Sequence, residues 1–315
     1  MIGKLSRRRF LRTLGAGGAL IASPPALGQT AWTILGSERG ALRIVFYSDV
    51  HARTEWETPT ALLKAADAIN AQKADLVLGG GDLITDGFES TSEEVAPRWN
   101  AYMAMHSAIE GEHHVAIGNH DLVGALPKDG SAPAGDPQLD FKRRFGLTRT
   151  YRSFDALGYH VMLLDSVRIS GDEYKYHGWV SLEQREWIKE DLSRIPLGTP
   201  IVVVLHIPLV TAFYNVSSGA TFQAKPNRVV VNNTDVLALF AEHNLVLVLQ
   251  GHLHVSELLR WQNTTFITGG AICGKWWRGP YFGTEEGFNA ITLHRDRVEW
   301  EYLDYGWQAR RPAGK

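Results

Sequence analysis

The chain is almost without cysteine. Cys273 is the only one among 315 residues, so no intrachain disulfide can staple the fold and no Cys-rich zinc or iron-sulfur site can be assembled. An excess of positive charge is missing as well, with 32 Lys and Arg against 34 Asp and Glu. Five of the basic residues, Lys4, Arg7, Arg8, Arg9 and Arg12, lie in residues 1–28, which hold no acid. A chain starting at Gln29 has 27 basic residues against 34 acidic ones, a net charge near −7. That balance weighs against a partner as long and as anionic as nucleic acid, because such binding is driven by neutralising backbone phosphates. Long hydrophobic runs are absent too, and no segment is long and charge-free enough for a stable membrane span, which takes about 20 residues as a helix. What the chain does have, 44% hydrophobic and 21% charged residues over 35.0 kDa, suffices for a full core and excludes a disordered tail.

The first 28 residues read as an address. Ser6-Arg7-Arg8-Arg9-Phe10-Leu11-Arg12 precedes a weakly apolar, Gly-rich run from Leu14 to Ala22, then a Pro-containing stretch ending Ala26-Leu27-Gly28. Basic, apolar and small residues in that order make a secretory signal. The paired Arg before Phe-Leu resembles a bacterial twin-arginine signal. The resemblance implies removal between Gly28 and Gln29, and export of the folded protein to the periplasm or beyond the cell. Residues 29–315 then form one domain, with a β-rich C-terminal segment from 255.

Short runs rich in Val, Ile and Leu recur at Leu42–Tyr47, Leu76–Leu78, His114–Ile117, His160–Leu164, Ile201–Leu205 and Leu245–Leu249, the pattern of buried strands. Helical periodicity separates them at Thr60–Gln72, Glu93–Ile109, Ser181–Arg194 and Thr234–His243, and such alternation predicts an α/β architecture. From Val255 onward the helix signals stop, and four further segments, Glu257–Trp261, Thr264–Thr268, Asn289–Leu293 and Val298–Leu303, read as antiparallel strands. Leu122–Pro137 and Pro208–Asn232 are too long for plain connections and read as binding loops.

Ligands of open α/β sheets gather at the carboxyl ends of the strands, and here those ends carry the polar residues. The successive strands run into Ser48-Asp49-Val50-His51, Gly79-Gly80-Gly81-Asp82, Gly118-Asn119-His120-Asp121, His206 and Gln250-Gly251-His252-Leu253-His254. A single Asp or His after a strand is ordinarily a turn or cap. Five such ends on one sheet edge, holding five of the twelve histidines, point to a joint function. Carboxylate, imidazole and amide oxygen without thiolate suit Mn²⁺, Zn²⁺ or iron. So many ligand groups exceed what one ion needs, so two metals sharing a carboxylate is the natural reading. Ions about 3.5–4 Å apart can clamp the attacking and leaving oxygens of a displacement at phosphorus. Gly81, Gly118 and Gly251 are expected to let the backbone turn sharply and aim the next side chain.

The order Asp-x-His, Gly-Asp, Gly-Asn-His-Asp, His, Gly-His-x-His over residues 44–254 resembles the calcineurin-like metallophosphoesterase superfamily. Gly178-Trp179-Val180-Ser181 through Gln184 and Trp187 resembles the helix these enzymes place before the strand with the lone His. The resemblance implies a four-layer αββα fold, a two-sheet β-sandwich flanked by helices, with a dinuclear site of divalent or trivalent Mn, Fe or Zn. It assigns Asp49, His51, Asp82 and His254 to one metal and Asp82, Asn119, His206 and His252 to the other, with Asp82 bridging. It further implies that a hydroxide shared by the metals attacks a phosphate mono- or diester, that His120 helps the leaving oxygen, and that Asp121 orients the His120 imidazole by hydrogen bonding.

Weaker candidates lie around that edge. Arg53 follows the first motif and Asp86 the second, one a candidate phosphate contact and the other a candidate support. The run Gly269–Tyr281 sets Trp276, Trp277 and Arg278 among turn-forming glycines, so that Trp277 could stack on a substrate ring while Arg278 pairs with phosphate. His113 and His114 precede a strand and are expected at the opposite edge. The partner is a small phosphate ester. Two other readings stand beside hydrolysis of such esters: cleavage of nucleotide- or lipid-linked diphosphates, and a metal-binding scaffold without turnover. Nothing in the residues speaks to the oligomeric state.

Overall fold

Strand and helix alternate from Leu42 onward because the apolar residues switch between periods of two and of about 3.6. The computed structural model describes residues 41–312; the segment read as a signal, 1–28, lies outside the described residues. The elements in chain order begin with β1 (Leu42–Tyr47), α1 (Thr58–Ala71), β2 (Leu76–Gly79), α2 (Ser92–Ala108) and β3 (His113–Val115). Next come α3 (Leu139–Arg144), β4 (Arg152–Ala156), β5 (Tyr159–Leu163), β6 (Val167–Ile169), β7 (Tyr176–Gly178) and α4 (Leu182–Leu192). The last third holds β8 (Pro200–Leu205), α5 (Phe213–Ser218), α6 (Asn233–Ala238), β9 (Asn244–Gln250), β10 (Ser256–Trp261), β11 (Thr264–Gly269), β12 (Gly287–Leu293) and β13 (Val298–Asp304).

Two large sheets result, one ordered β13-β12-β1-β2-β3 and the other β10-β11-β9-β8-β5-β4, with β6 and β7 as a small ribbon. Alternation along each strand builds the layers. In β1, Ile44 and Phe46 face Val202, Val204, Leu247 and Leu249 of the second sheet, while Val45 and Tyr47 point the other way, onto Leu62 of α1 and Trp99 of α2. In β8, Val203 and Leu205 turn outward onto Ile188 of α4 and Val236 of α6. Helices, sheet, sheet and helices therefore make four layers. Each fully buried Val, Leu or Ile of this kind contributes about 1.5–3 kcal/mol.

The helix ends are set locally. Thr91 and Glu94 form a reciprocal capping box at the start of α2, and the Ser181 hydroxyl accepts the Gln184 amide at the start of α4. Gln184 is buried and clamps Asp165 through both of its backbone groups, at 2.8 and 2.7 Å, which ties α4 to the end of β5.

One expectation changes: β3 stops at Val115, not Ile117, because the chain must leave the sheet to bring Gly118 against Asp82. The four C-terminal strands pair antiparallel, β10 with β11 and β12 with β13, and they divide between the two sheets, where β11 runs parallel to β9 and β12 pairs antiparallel with β1. The long loops are tied at their bases, Val123 to Pro137 and Val230 to Pro208, each at 2.8 Å. The second contains α5. No helix among the described residues is long and apolar enough to cross a membrane.

Candidate metal centre

The carboxyl ends of β1, β2, β3, β8 and β9 meet at one edge of the sandwich. Asp49 and His51 are held there by main-chain bonds to Gly81 and Asp82, at 3.0 and 2.9 Å. Asn119, His120 and Asp121 form a 3₁₀ turn. All seven side chains expected as ligands are buried, with Asp49, His51 and His206 wholly inaccessible.

They form two groups joined by one carboxylate. In the first, His254 Nε2 lies 3.2 Å from His51 Nε2 and 3.3 Å from Asp49 Oδ1. In the second, His206 Nε2 lies 3.1 Å from Asn119 Oδ1 and 3.2 Å from His252 Nδ1. Asp82 Oδ2 stands between them, 3.1 Å from His206 Nε2 and 3.5 Å from His51 Nε2.

The far ring nitrogens explain why these gaps point to cations. His206 Nδ1 donates to the Gly80 carbonyl (2.8 Å), His254 Nδ1 to the Gly274 carbonyl (2.6 Å) and His252 Nε2 to the Asn227 carbonyl (2.8 Å). Each bond assigns the tautomer and leaves a lone pair on the nitrogen that faces inward. Lone pairs and carboxylate oxygens facing each other across about 3 Å in a dry site repel unless positive charge lies between them. The donor set of imidazole, carboxylate and amide oxygen fits the borderline cations named above. Without them, charge redistributes among the groups. Burial alone would raise the Asp82 carboxyl, but His206, His120 and His51 hold it well below the carboxylate range. Burial opposes a charge on His206, yet Asp82 and Asp49 push it up to about 9.

Backbone strain is concentrated here. Asp49, His51, Asp82, His252 and His254 all adopt left-handed φ, between 44° and 73°, at a cost on the order of 1–3 kcal/mol each. The glycines carry less of the turning than expected. Gly81 is left-handed (φ 90°), but Gly118 has φ −111°, and it is needed because a Cβ there would overlap Asp82; one on Gly251 would overlap the Ser48 hydroxyl.

His120 sits on the outer side of the first group, its ring centroid 4.7 Å from that of His51. Its Nδ1 accepts the Asp86 amide at 3.0 Å, so the proton is on Nε2 and the ring offers a donor. Burial lowers its pKa. The expected role of Asp121 is corrected by this geometry. Its carboxylate accepts the amides of Leu83 (2.8 Å), Ile84 (3.2 Å) and Gly118 (2.8 Å), and those bonds organise the turn and leave the imidazole to Asp86.

Trp277 is likewise corrected. It is 1% exposed and its indole N–H donates to the His51 carbonyl at 2.9 Å, so it braces the first motif from inside. Its neighbour Trp276 is the ring at the site, 4.0 Å from His51 and 5.1 Å from both His120 and His254. Arg53 is engaged at the rim, where its side chain approaches Glu55 and Asp86 and overlies Trp56, and Arg278 is half-buried. Neither lines the cavity that opens onto His252 and His254. The cations that do, Lys225 and Arg228, went unsingled in the sequence, and their place within the long loop 208–232 was the available signal. Cys273 was also missed: it is buried 3.7 Å from His254 Nδ1, and burial pushes its thiol up.

A family model described as calcineurin-like phosphoesterase matches residues 42–256. No curated protein matches the sequence. Among solved structures, the chain is similar to a dimetal phosphatase from Danio rerio, with 15% identity, TM-score 0.55, and coverage of 84% of this chain and 99% of the other. It is similar to GAP50, described as the anchor in the inner membrane complex of Plasmodium, with 13% identity, TM-score 0.52, and coverage of 84% and 85%. A Staphylococcus aureus protein assigned as a 5′-nucleotidase, with α-ketoglutarate bound, shares 15% identity at TM-score 0.53, over 88% of this chain and 56% of that one. At such identities the likeness establishes the αββα fold.

Proposed function

The chain belongs to the calcineurin-like phosphoesterases, and from that membership as a metal-dependent phosphoesterase we propose that it hydrolyses small phosphate mono- or diesters at the strand-end site. The observation that supports this best is the buried convergence of inward-facing lone pairs at His206, His252 and His254, with the His51 ring beside them, around Asp49 and Asp82. Asp49, His51, Asp82 and His254 would hold one cation, and Asp82, Asn119, His206 and His252 the other, chosen among Mn, Fe and Zn. When bound, such a pair supplies positive charge at phosphorus and a water acidified to about neutral pH.

The protein's own contribution is orientation and proton transfer. The carbonyls of Gly80, Asn227 and Gly274 fix three imidazoles in the ligating tautomer. Trp276 covers one side of the first group and keeps water from it. His120, held by the Asp86 amide, presents Nε2–H to the leaving oxygen and gives it a proton as the ester bond breaks. The test is a panel of chromogenic phosphate mono- and diesters, assayed with metal-stripped protein reloaded with Mn²⁺, Zn²⁺ or Fe²⁺, with metal content measured alongside. Hydrolysis that returns with about two equivalents of metal is expected; full occupancy with no turnover of any ester would favour the scaffold reading.

Export completes the proposal. Arg7 and Arg8 would direct the folded, metal-loaded chain across a bacterial membrane, and a reporter carrying residues 1–35 should stay inside when both become Lys.

A further inference from the structure

The cavity over His252 and His254, about 330 Å³, is built from two segments that sequence alone does not bring together. Phe213, Tyr214 and Phe222 come from the loop after β8, and Trp276 and Tyr281 from the loop after β11. Tyr214 and Phe222 stack at 5.8 Å and 23°, Phe213 meets Tyr214 edge-on at 5.1 Å, and Trp276 stacks on His254 at 5.1 Å. The mouth leaves rings in water: Phe222 is 42% exposed, and Phe282, edge-on to both Phe213 and Tyr281, is 66% exposed. Exposed aromatic surface grouped around a cleft marks a binding site for something that covers it.

The charge of the cavity is also one-sided. Lys225 and Arg228 line it and no acid does, and among the described residues neither forms an ion pair. This stands in a chain whose residues beyond 28 are acidic on balance. Arg228 lines the same cavity as Tyr214 of the ring wall and His252 of the metal edge. The cations that the seven ligand groups would hold already serve the scissile phosphate. Two further unpaired cations, set beyond them among aromatic rings, call for a second negative charge on the same molecule.

We propose that this cavity is the leaving-group pocket and that its substrate is a phosphoester or phosphoanhydride whose departing group carries a planar ring and a second anionic group. The inference rests on the phosphoesterase reading above. In the reaction a P–O bond forms to the water oxygen and the P–O bond to the ring-bearing group breaks. The leaving oxygen takes a proton, and the proton lost by water passes to solvent.

Three probes separate the features: adenosine 5′-diphosphate carries ring and second charge, phenyl phosphate the ring alone, and glycerol 2-phosphate neither. With metal-loaded enzyme, kcat/KM should fall at each step by about tenfold, the scale of one stacked ring or one charge-assisted contact. Replacing the extra phosphate by a carboxylate, in 4-carboxyphenyl phosphate, shows which anion serves; either probe with the second anionic group outrunning phenyl phosphate supports the pocket. Phe222→Ala should narrow the gap between phenyl phosphate and glycerol 2-phosphate. The double change Lys225→Ala with Arg228→Ala should narrow that between adenosine 5′-diphosphate and phenyl phosphate. Equal kcat/KM for all probes, or gaps that survive both variants, overturns the proposal. A second readout avoids turnover: calorimetric binding of adenosine 5′-diphosphate to metal-stripped protein should weaken about tenfold in the double variant, and equal affinity overturns the pocket. If fully loaded enzyme hydrolyses none of the probes, the phosphoesterase reading fails, while the calorimetry still decides on the pocket.

Discussion

Histidines cluster at both edges of the first sheet, and the two clusters behave in opposite ways. At the start of β3, His106 and His113 lie with ring centroids 4.2 Å apart, His106 packs on Phe145 and His114 on Phe154. His113 Nε2 meets the Tyr47 hydroxyl at 2.8 Å, which in turn meets Tyr102 at 2.8 Å. Arg144 and Arg152 share the cleft, and the one carboxylate paired with an imidazole there is Glu112, with His114. Burial lowers all three imidazoles. At the ligand edge, His51, His206 and His254 each lie within 3.5 Å of an Asp oxygen, and carbonyls grip the outer nitrogens of His206, His252 and His254. Left-handed backbone marks Asp49, His51, Asp82, His252 and His254 but none of His106, His113 and His114. Oxygen donors, fixed tautomers and local strain distinguish a site from a cluster; the number of imidazoles does not.

Removing the Asp82 carboxylate, which stands between the two groups, should make the ligand edge resemble the other one. Asp82→Asn is expected to hold at most one metal and to lose activity by about 10⁴-fold or more, beyond what any single general acid supplies; elemental analysis beside turnover checks it, and full dinuclear occupancy would contradict the bridge. His120 belongs to the ligand edge without being placed as a ligand, so His120→Asn should keep both metals while losing roughly 10²- to 10⁴-fold in rate. An unchanged rate removes its role. Trp277→Phe leaves the buried His51 carbonyl without a donor and should destabilise the protein by about 1–3 kcal/mol, read as a lower melting temperature.

The smallest effect sharpens the contrast from the other side. Burial keeps His113 well below its ordinary 6.5, so below that pH the unfolded chain takes up a proton that the folded imidazole refuses. Stability from this group is present above pH 6.5 and is lost on acidification. In metal-stripped protein, His113→Gln should flatten the fall in melting temperature between about pH 7 and pH 5, by on the order of 2–4 °C. An identical slope would show that this cluster does not control acid sensitivity.

Much of the architecture was legible in the residues, because alternation in β1 and β8 and helical spacing in α1 are direct consequences of burial on one face. The ligand edge was legible for a different reason: one polar residue after a strand is ordinarily a turn or cap, but five such ends coinciding call for a shared task. Adjacency in sequence misled where direction in space decided. Asp121 follows His120 but its carboxylate turns back to Gly118, Leu83 and Ile84. Of two consecutive tryptophans only Trp276 faces the site. Lys225 and Arg228 sit in a loop without periodicity, and their meeting with Tyr281 is purely tertiary.

The weave of the first sheet bears on how the molecule is made. β1, which launches Asp49 and His51, is flanked on one side by β12, whose last partner to Leu42 is Leu293. A chain emerging from the ribosome has delivered every ligand by His254, yet the strand bearing the first two still has an open flank, and the His51 carbonyl still awaits its indole from Trp277. Pairing across such a separation is intrinsically slow. The candidate cation-binding edge thus depends on β12 and Trp277, both of which follow the last of its seven groups in the chain, and a chain cut short before β12 would carry all seven with one flank of β1 unpaired.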